Sequence, residues 1–180
     1  ALRDFDHDGK MDILIANNFF GSQPETGYMD GGLGLYLKGN GDQTFTPVWP
    51  AKSGVIVPGD SNGLAVADLD GDGDDDAVFA INNDRAKVFY NQSNADLVKL
   101  VIIGPAGNRK SIGAHVSLKF KSGKISLHEI SSQTSHLSQS TANMTLASQQ
   151  IDDLERITIR WPDGSTTEKR VEGARDIKDS

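Results

Sequence analysis

The chain has 180 residues, of which 37% are apolar and 24% charged, and a formal net charge of −7. That composition suits a soluble globular protein with room for one large or two small domains. It contains no cysteine, which excludes disulfides, thiolate nucleophiles and thiolate metal sites together but leaves the compartment open. No apolar run approaches the roughly 18 residues a membrane helix needs, and no basic-then-apolar leader opens the sequence.

The first element is an acidic loop, Asp4-Phe5-Asp6-His7-Asp8-Gly9-Lys10-Met11-Asp12. It returns 64 residues later as Asp68-Leu69-Asp70-Gly71-Asp72-Gly73-Asp74-Asp75-Asp76, and both copies fit D-x-D-x-D-G-x-x-D. Carboxylates at positions 1, 3, 5 and 9 repel one another when bare, so the pattern calls for a cation, and calcium, a hard ion that takes six to eight oxygens, is the candidate. About two ions are expected. The ligands read from the spacing are Asp4, Asp6, Asp8 and Asp12, with the backbone carbonyl of Lys10, and then Asp68, Asp70, Asp72 and Asp76, with the backbone carbonyl of Asp74. Glycine at position 6 permits the sharp turn. His7, at a non-ligating position, is expected to face solvent. An EF-hand is excluded, because its bidentate Glu at position 12 is replaced by Ile15 and Phe79. The alternative for both loops is a solvated acidic turn, which a twice-repeated pattern of four Asp and one Gly disfavours.

Each loop leads into a short apolar strand, Ile13-Leu14-Ile15-Ala16 or Ala77-Val78-Phe79-Ala80. An Asn turn follows (Asn17-Asn18 and Asn82-Asn83), then a second strand at residues 33–37 or 86–90. The first copy continues through the turn Gly39-Asn40-Gly41-Asp42 to a strand at residues 44–48. Residues 19–32, rich in Gly and polar side chains, read as a long variable loop. A period of about 60 residues built from short strands and turns points to repeated β-sheet units, with propeller blades the leading architecture. The second acidic loop is preceded by the strand-like Gly63-Leu64-Ala65-Val66-Ala67, whereas only Ala1-Leu2-Arg3 precedes the first. The chain therefore reads as the C-terminal piece of a longer one, with further blades upstream.

Charge divides the chain. Residues 1–93 hold 15 Asp and Glu against 6 Lys and Arg, a net of −9, while residues 94–180 have a net of +2. Two modules are expected, 1–93 and 94–180, and the acidic first module argues against nucleic acid as a partner. In the second module residues 97–103 form an apolar strand. Ala114, Val116, Leu118 and Phe120 alternate with polar residues, and Ile125 and Leu127 are expected to restart the apolar face. Ile157, Ile159 and Trp161 alternate in the same way before Trp161-Pro162-Asp163-Gly164, a hairpin turn into residues 165–171. The fold class expected is all-β: propeller-type blades, incomplete in number, followed by a small antiparallel β module.

Residues 1–92 resemble FG-GAP repeats, also called VCBS repeats, of integrin-like β-propellers, most specifically at the eight Asp of the two loops. The resemblance implies that each loop joins the first two strands of a blade and holds a structural calcium. Asn108-Arg109, Ile112-Gly113-Ala114, Leu137-Ser138-Gln139-Ser140 and Trp161-Pro162-Asp163-Gly164 resemble the ASPIC/UnbV domain over residues 97–173. That domain commonly follows FG-GAP repeats in bacterial secreted proteins and in the cartilage acidic protein family. The chain departs from the pattern at Met144-Thr145-Leu146-Ala147-Ser148, where a Phe-Gly-Leu-Gly-type segment is usual.

No catalytic site is expected. His7, His115, His128 and His136 are scattered, and no zinc, Walker, dinucleotide or nucleophile-elbow motif is present. The polar run at residues 131–138 brings Ser and His close in sequence without making a triad. The reading is a calcium-binding interaction or adhesion-type protein of the exterior, cell surface or periplasm, with a protein or glycan ligand. The alternatives are the non-catalytic end of a larger secreted hydrolase or lyase, and a carbohydrate-binding module. For the last, Trp49 and Trp161 are the aromatics that would stack on sugar, although core or hairpin packing is the first expectation for both.

Overall fold

The computed structural model describes residues 1–17, 25, 27, 32–93, 95–131, 137–141 and 144–171. The expected loop at 19–32, the Asn18 turn position and most of the 131–138 run, His136 included, lie outside the described residues. Contact density divides the chain into two units. One comprises Ala1–Ser93 with Gln133–Thr141, the other Asn94–Ser132 with Ala142–Ser180. The first unit thus takes in a segment that the sequence places within the C-terminal module.

The architecture is all-β, with antiparallel sheets. In the first unit β1 (Leu2–Arg3), β2 (Asp12–Ile15), β3 (Leu35–Gly39) and β4 (Phe45–Val48) form a four-stranded meander. A one-turn helix α1 (Pro50–Ser53) follows, with Pro at its first position and Gly54 as its left-handed cap. Then β5 (Ser61–Ala67), β6 (Asp76–Ile81) and β7 (Lys87–Phe89) form a three-stranded sheet.

The two sheets are register-equivalent. Leu2 pairs with Ile13 as Val66 pairs with Ala77, and Ile13 pairs with Leu37 as Ala77 pairs with Phe89. Across the first two strands the offset between copies is 64 residues, and at the third it is 52. The twelve-residue difference lies wholly in the connection from β2 to β3. Leu14, Val57, Leu64, Ala77, Phe79 and Ile81 form the core of this unit. Phe5 meets Tyr36 edge-on, and Phe79 meets Phe89 in the same way.

In the second unit β8 (Leu97–Leu100) pairs with β11 (Met144–Ala147). The strand expected at residues 97–103 is therefore shorter, because its partner offers four residues. Beyond it Ser111 Oγ donates to the carbonyl of Ile102, and Gly104-Pro105 turns the chain away. The departing segment at residues 144–148 supplies this partner strand and the start of α2 (Ser148–Asp153), whose Ile151 is fully buried.

The main sheet of the unit runs β10 (Ile125–Glu129), β9 (His115–Phe120), β12 (Leu154–Arg160) and β13 (Thr166–Arg170). The β12–β13 hairpin turns on Trp161-Pro162-Asp163-Gly164 as expected, with Gly164 N–H donating to Trp161 O at φ +86°. Val116, Leu118 and Phe120 are buried as their alternation requires.

Strand β10 does not follow its pattern. Ile125 is 58% exposed and Leu127 76% exposed. The register sets Ser126 opposite Leu118 and His128 opposite Val116, so the polar pair takes the core face and the apolar pair faces water. Ser126 Oγ and His128 Nε2 lie 2.9 Å apart and satisfy each other there.

Candidate metal centre

Both acidic loops sit between the first and second strands of their sheets, leaving β1 or β5 and entering β2 or β6. Their backbones are organised by the same three hydrogen bonds. The position-2 amide donates to Oδ2 of the position-9 carboxylate, from Phe5 to Asp12 at 3.0 Å and from Leu69 to Asp76 at 2.8 Å. A residue at the end of the third strand donates to Oδ1 of the same carboxylate, Gly39 to Asp12 at 2.7 Å and Asn91 to Asp76 at 2.8 Å. The position-7 amide donates to the position-5 carboxylate, Lys10 to Asp8 and Asp74 to Asp72, both at 3.0 Å. Asp12 and Asp76 are fully buried. A buried carboxylate is tolerated when its oxygens accept such donors, so these two residues staple the loop to the sheet.

The remaining carboxylates converge. Asp4, Asp6 and Asp8 place one oxygen each within 4.8 Å of one another, and so do Asp68, Asp70 and Asp72. At an effective dielectric of about 20, two unit charges about 5 Å apart repel by about 3 kcal/mol. Each bare triad therefore works against its own loop. Asp12 and Asp76 stand outside the triads. The Asp74 side chain accepts from Ser93 N–H through Oδ2 at 3.1 Å.

Position 4 needs a left-handed backbone in both copies, φ +56° at His7 and +85° at Gly71, and position 6 is glycine at φ +83° and +98°. His7 corrects the sequence expectation. It is 8% exposed, with both ring nitrogens buried and without a hydrogen-bond partner. Burial lowers its pKa, against the pull of Asp75, Asp6, Asp12 and Asp72.

The copies differ in how charge is balanced. In the first, Lys38 of β3 reaches over the triad, forming an ion pair with Asp6 and lying 3.1 Å from Asp8, while Lys10 is 3.4 Å from Asp8. Burial disfavours the Asp8 anion, yet the bond from Lys38, the Lys10 amide and both ammonium charges hold its pKa below the usual value. The bonds to Asp6 and Asp8 raise the Lys38 pKa. Tyr36 O–H donates to Asp12 Oδ2 at 2.9 Å, and burial together with that bond raises the phenol pKa. In the second copy register puts Val88 and Tyr90 where the first has Tyr36 and Lys38, and position 7 is Asp74. Arg3 pairs with Asp75 at 3.0 Å, outside the triad.

An ion fits the unpaired acceptors. Asp4 Oδ1 and Asp74 Oδ1 are buried without a donor. Burial, then the neighbouring carboxylates, push Asp4 up to about 6; burial, then Asp72, push Asp74 up to about 6. Such groups are short of positive charge, which a hard divalent cation supplies.

Trp49, for which core or hairpin packing is the first expectation, is 80% exposed. Trp161 packs against the core of the second unit and donates its indole N–H to Thr167 Oγ1 at 2.8 Å. The Lys38 bridge and the Ser126–His128 contact were missed in the sequence, since each depends on strand register. Among the described residues no helix is long and apolar enough to cross a membrane.

Residues 4–79, which contain both acidic loops, match the family model of the FG-GAP-like repeat. Residues 104–177 match the family model described as ASPIC and UnbV. No individual curated protein matches the chain. The chain is thus similar to FG-GAP-like repeats over the stretch that holds both acidic loops, and to ASPIC and UnbV domains over the stretch that follows.

Proposed function

We propose that this chain is a calcium-stapled interaction protein of the cell exterior, in which the ion makes each blade rigid and the blade surfaces and loops bind a protein or glycan. The observation that carries the reading is the convergence of the Asp4-Asp6-Asp8 and Asp68-Asp70-Asp72 triads in two loops of the same hydrogen-bonded design. Calcium would be held by those six carboxylates with the carbonyls of Lys10 and Asp74. Asp12 and Asp76 set the loop shape and complete the anionic charge. Once bound, the ion supplies charge neutralisation and a fixed loop geometry, so its binding free energy becomes folding free energy for short-stranded sheets. Millimolar external calcium suits exposed loops of modest affinity, which is why the exterior is the proposed setting.

The role is non-catalytic. The described Ser–His contact, Ser126 with His128, lies on the core face of its sheet and reads as two polar groups satisfying each other. Calorimetric titration of calcium into EDTA-stripped protein, with the thermal midpoint followed in parallel, tests the proposal. About two sites and a midpoint raised by several degrees are expected. Absence of heat and of a midpoint shift would leave the loops as solvated turns.

A further inference from the structure

Residues 137–141 lie along the edge of β5 that faces away from β6, although Asn94–Ser132 and Ala142–Ser180 belong to the other unit. Ser138 Oγ donates to Leu64 O at 2.5 Å, Val66 N–H donates to Ser140 Oγ at 3.0 Å, and Thr141 N–H donates to Val66 O at 3.0 Å. Ser140 is buried in the contact. An uncovered edge offers its amides and carbonyls to any passing strand. Here serine hydroxyls take part beside the backbone bond from Thr141, so side chains of the segment share in holding it to β5.

One side chain joins this segment to an acidic loop. Arg3 Nη2 donates to Thr141 O at 2.7 Å, and Arg3 Nε stands 3.0 Å from Asp75 Oδ2. Asp75 is flanked by Asp74, whose carbonyl is a proposed ligand, and by the staple Asp76. The Arg3–Asp75 pair is mostly shielded from solvent on both sides, so its charge attraction counts for more than that of an exposed pair, although Arg3 Nε makes no aligned hydrogen bond there.

We infer that residues 137–141 form a strap whose grip on β5 is set by cation occupancy of the second acidic loop, through Asp75 and Arg3. This rests on the calcium reading of that loop. A bare triad repels itself and spreads the loop over many geometries, few of which aim Asp75 at Arg3. An ion selects one geometry, which fixes Arg3 on the Thr141 carbonyl. By linkage the effect is reciprocal: an attached strap tightens calcium binding at the second loop by the same factor, on the order of tenfold.

Hydrogen exchange on the full chain reads the strap directly, at the Val66 and Thr141 amides, with and without saturating calcium. Calcium should slow exchange at both by about tenfold relative to EDTA-treated protein. Arg3→Gln should abolish that calcium dependence while two calcium sites remain by calorimetry. Ser140→Ala, which leaves Arg3 and both loops intact, should weaken the second site alone, by several-fold. Calcium binding with unchanged exchange at Val66 and Thr141 overturns the strap coupling and leaves the calcium reading standing. No binding heat at all overturns both.

Discussion

The two acidic loops share a backbone, and they solve its electrostatic problem differently. Position 2 to position 9, third strand to position 9, and position 7 to position 5 are bonded alike in both. Around that frame the first loop recruits Lys38 and Lys10 as resident cations and Tyr36 as an extra donor to its staple. The second has no lysine against its triad among the described residues, and it adds Asp74 and Asp75. On the calcium reading proposed above, a first loop that carries its own ammonium would fold before it meets a metal, and the second would depend more on the ion. Geometry is common property of the repeat, whereas the charge around each triad is set by residues on a neighbouring strand.

The largest effect should come from the staples. Asp12→Ala leaves Phe5 N–H, Gly39 N–H and Tyr36 O–H without their acceptor and should cost about 4 kcal/mol in calcium-free denaturant unfolding. Asp76→Ala strands two donors and should cost about 3 kcal/mol. Equal losses would remove Tyr36 from the comparison, and negligible losses would remove the staples altogether.

Next is pH. Burial and neighbouring carboxylates raise the Asp4 and Asp74 carboxyls from 3.8 to about 6, so between those values the folded state holds protons that the unfolded chain has released. Calcium-free stability should therefore be greatest near pH 4 as far as these two groups are concerned, and decline by about 2 kcal/mol as pH rises through 6. Calcium should reverse the slope, because it needs the anions. Stability flat over that window without calcium would show that neither carboxyl is strained.

Lys38→Gln sharpens the charge contrast. Removing the ammonium should raise calcium affinity at the first loop about fivefold to tenfold, equivalent to about 1 kcal/mol, with the second site unchanged. A weaker first site would mean that Lys38 organises the triad instead of competing for it. Smallest is the backbone term: Gly71→Ala, with open space around the new Cβ but φ +85°, should cost about 1 kcal/mol in thermal unfolding. His7 already bears that cost in the first copy.

Much of this was legible in the sequence because it is local. Four spaced Asp with a Gly name the loop, alternating apolar residues name β9 and β12, and Trp161-Pro162-Asp163-Gly164 names its hairpin. The parts that were not legible depend on distant partners. Lys38 reaches the triad only because β3 pairs with β2 in one register. The inverted β10 was hidden because an alternating strand has two faces, and only its pairing with β9 decides which meets the core. The Leu137-Ser138-Gln139-Ser140 signature falls within a stretch that sequence assigns to one module, yet it serves β5, more than 70 residues away in the chain. A non-ligating loop position points His7 toward water in the sequence; in the fold it is buried, and the second loop's Asp75 is near enough to act on its charge.

The twelve-residue length difference between the copies has a further consequence. It is confined to the connection between the second and third strands, and the amide that receives the staple returns to its place on either side of it, as Gly39 or Asn91. Acidic turn, two strands and donating amide keep one arrangement across connections of two lengths. Evolution or an engineer can lengthen that connection, or graft a recognition sequence into it, without redrawing the turn. In such a repeat the connection and the acidic turn can diversify independently.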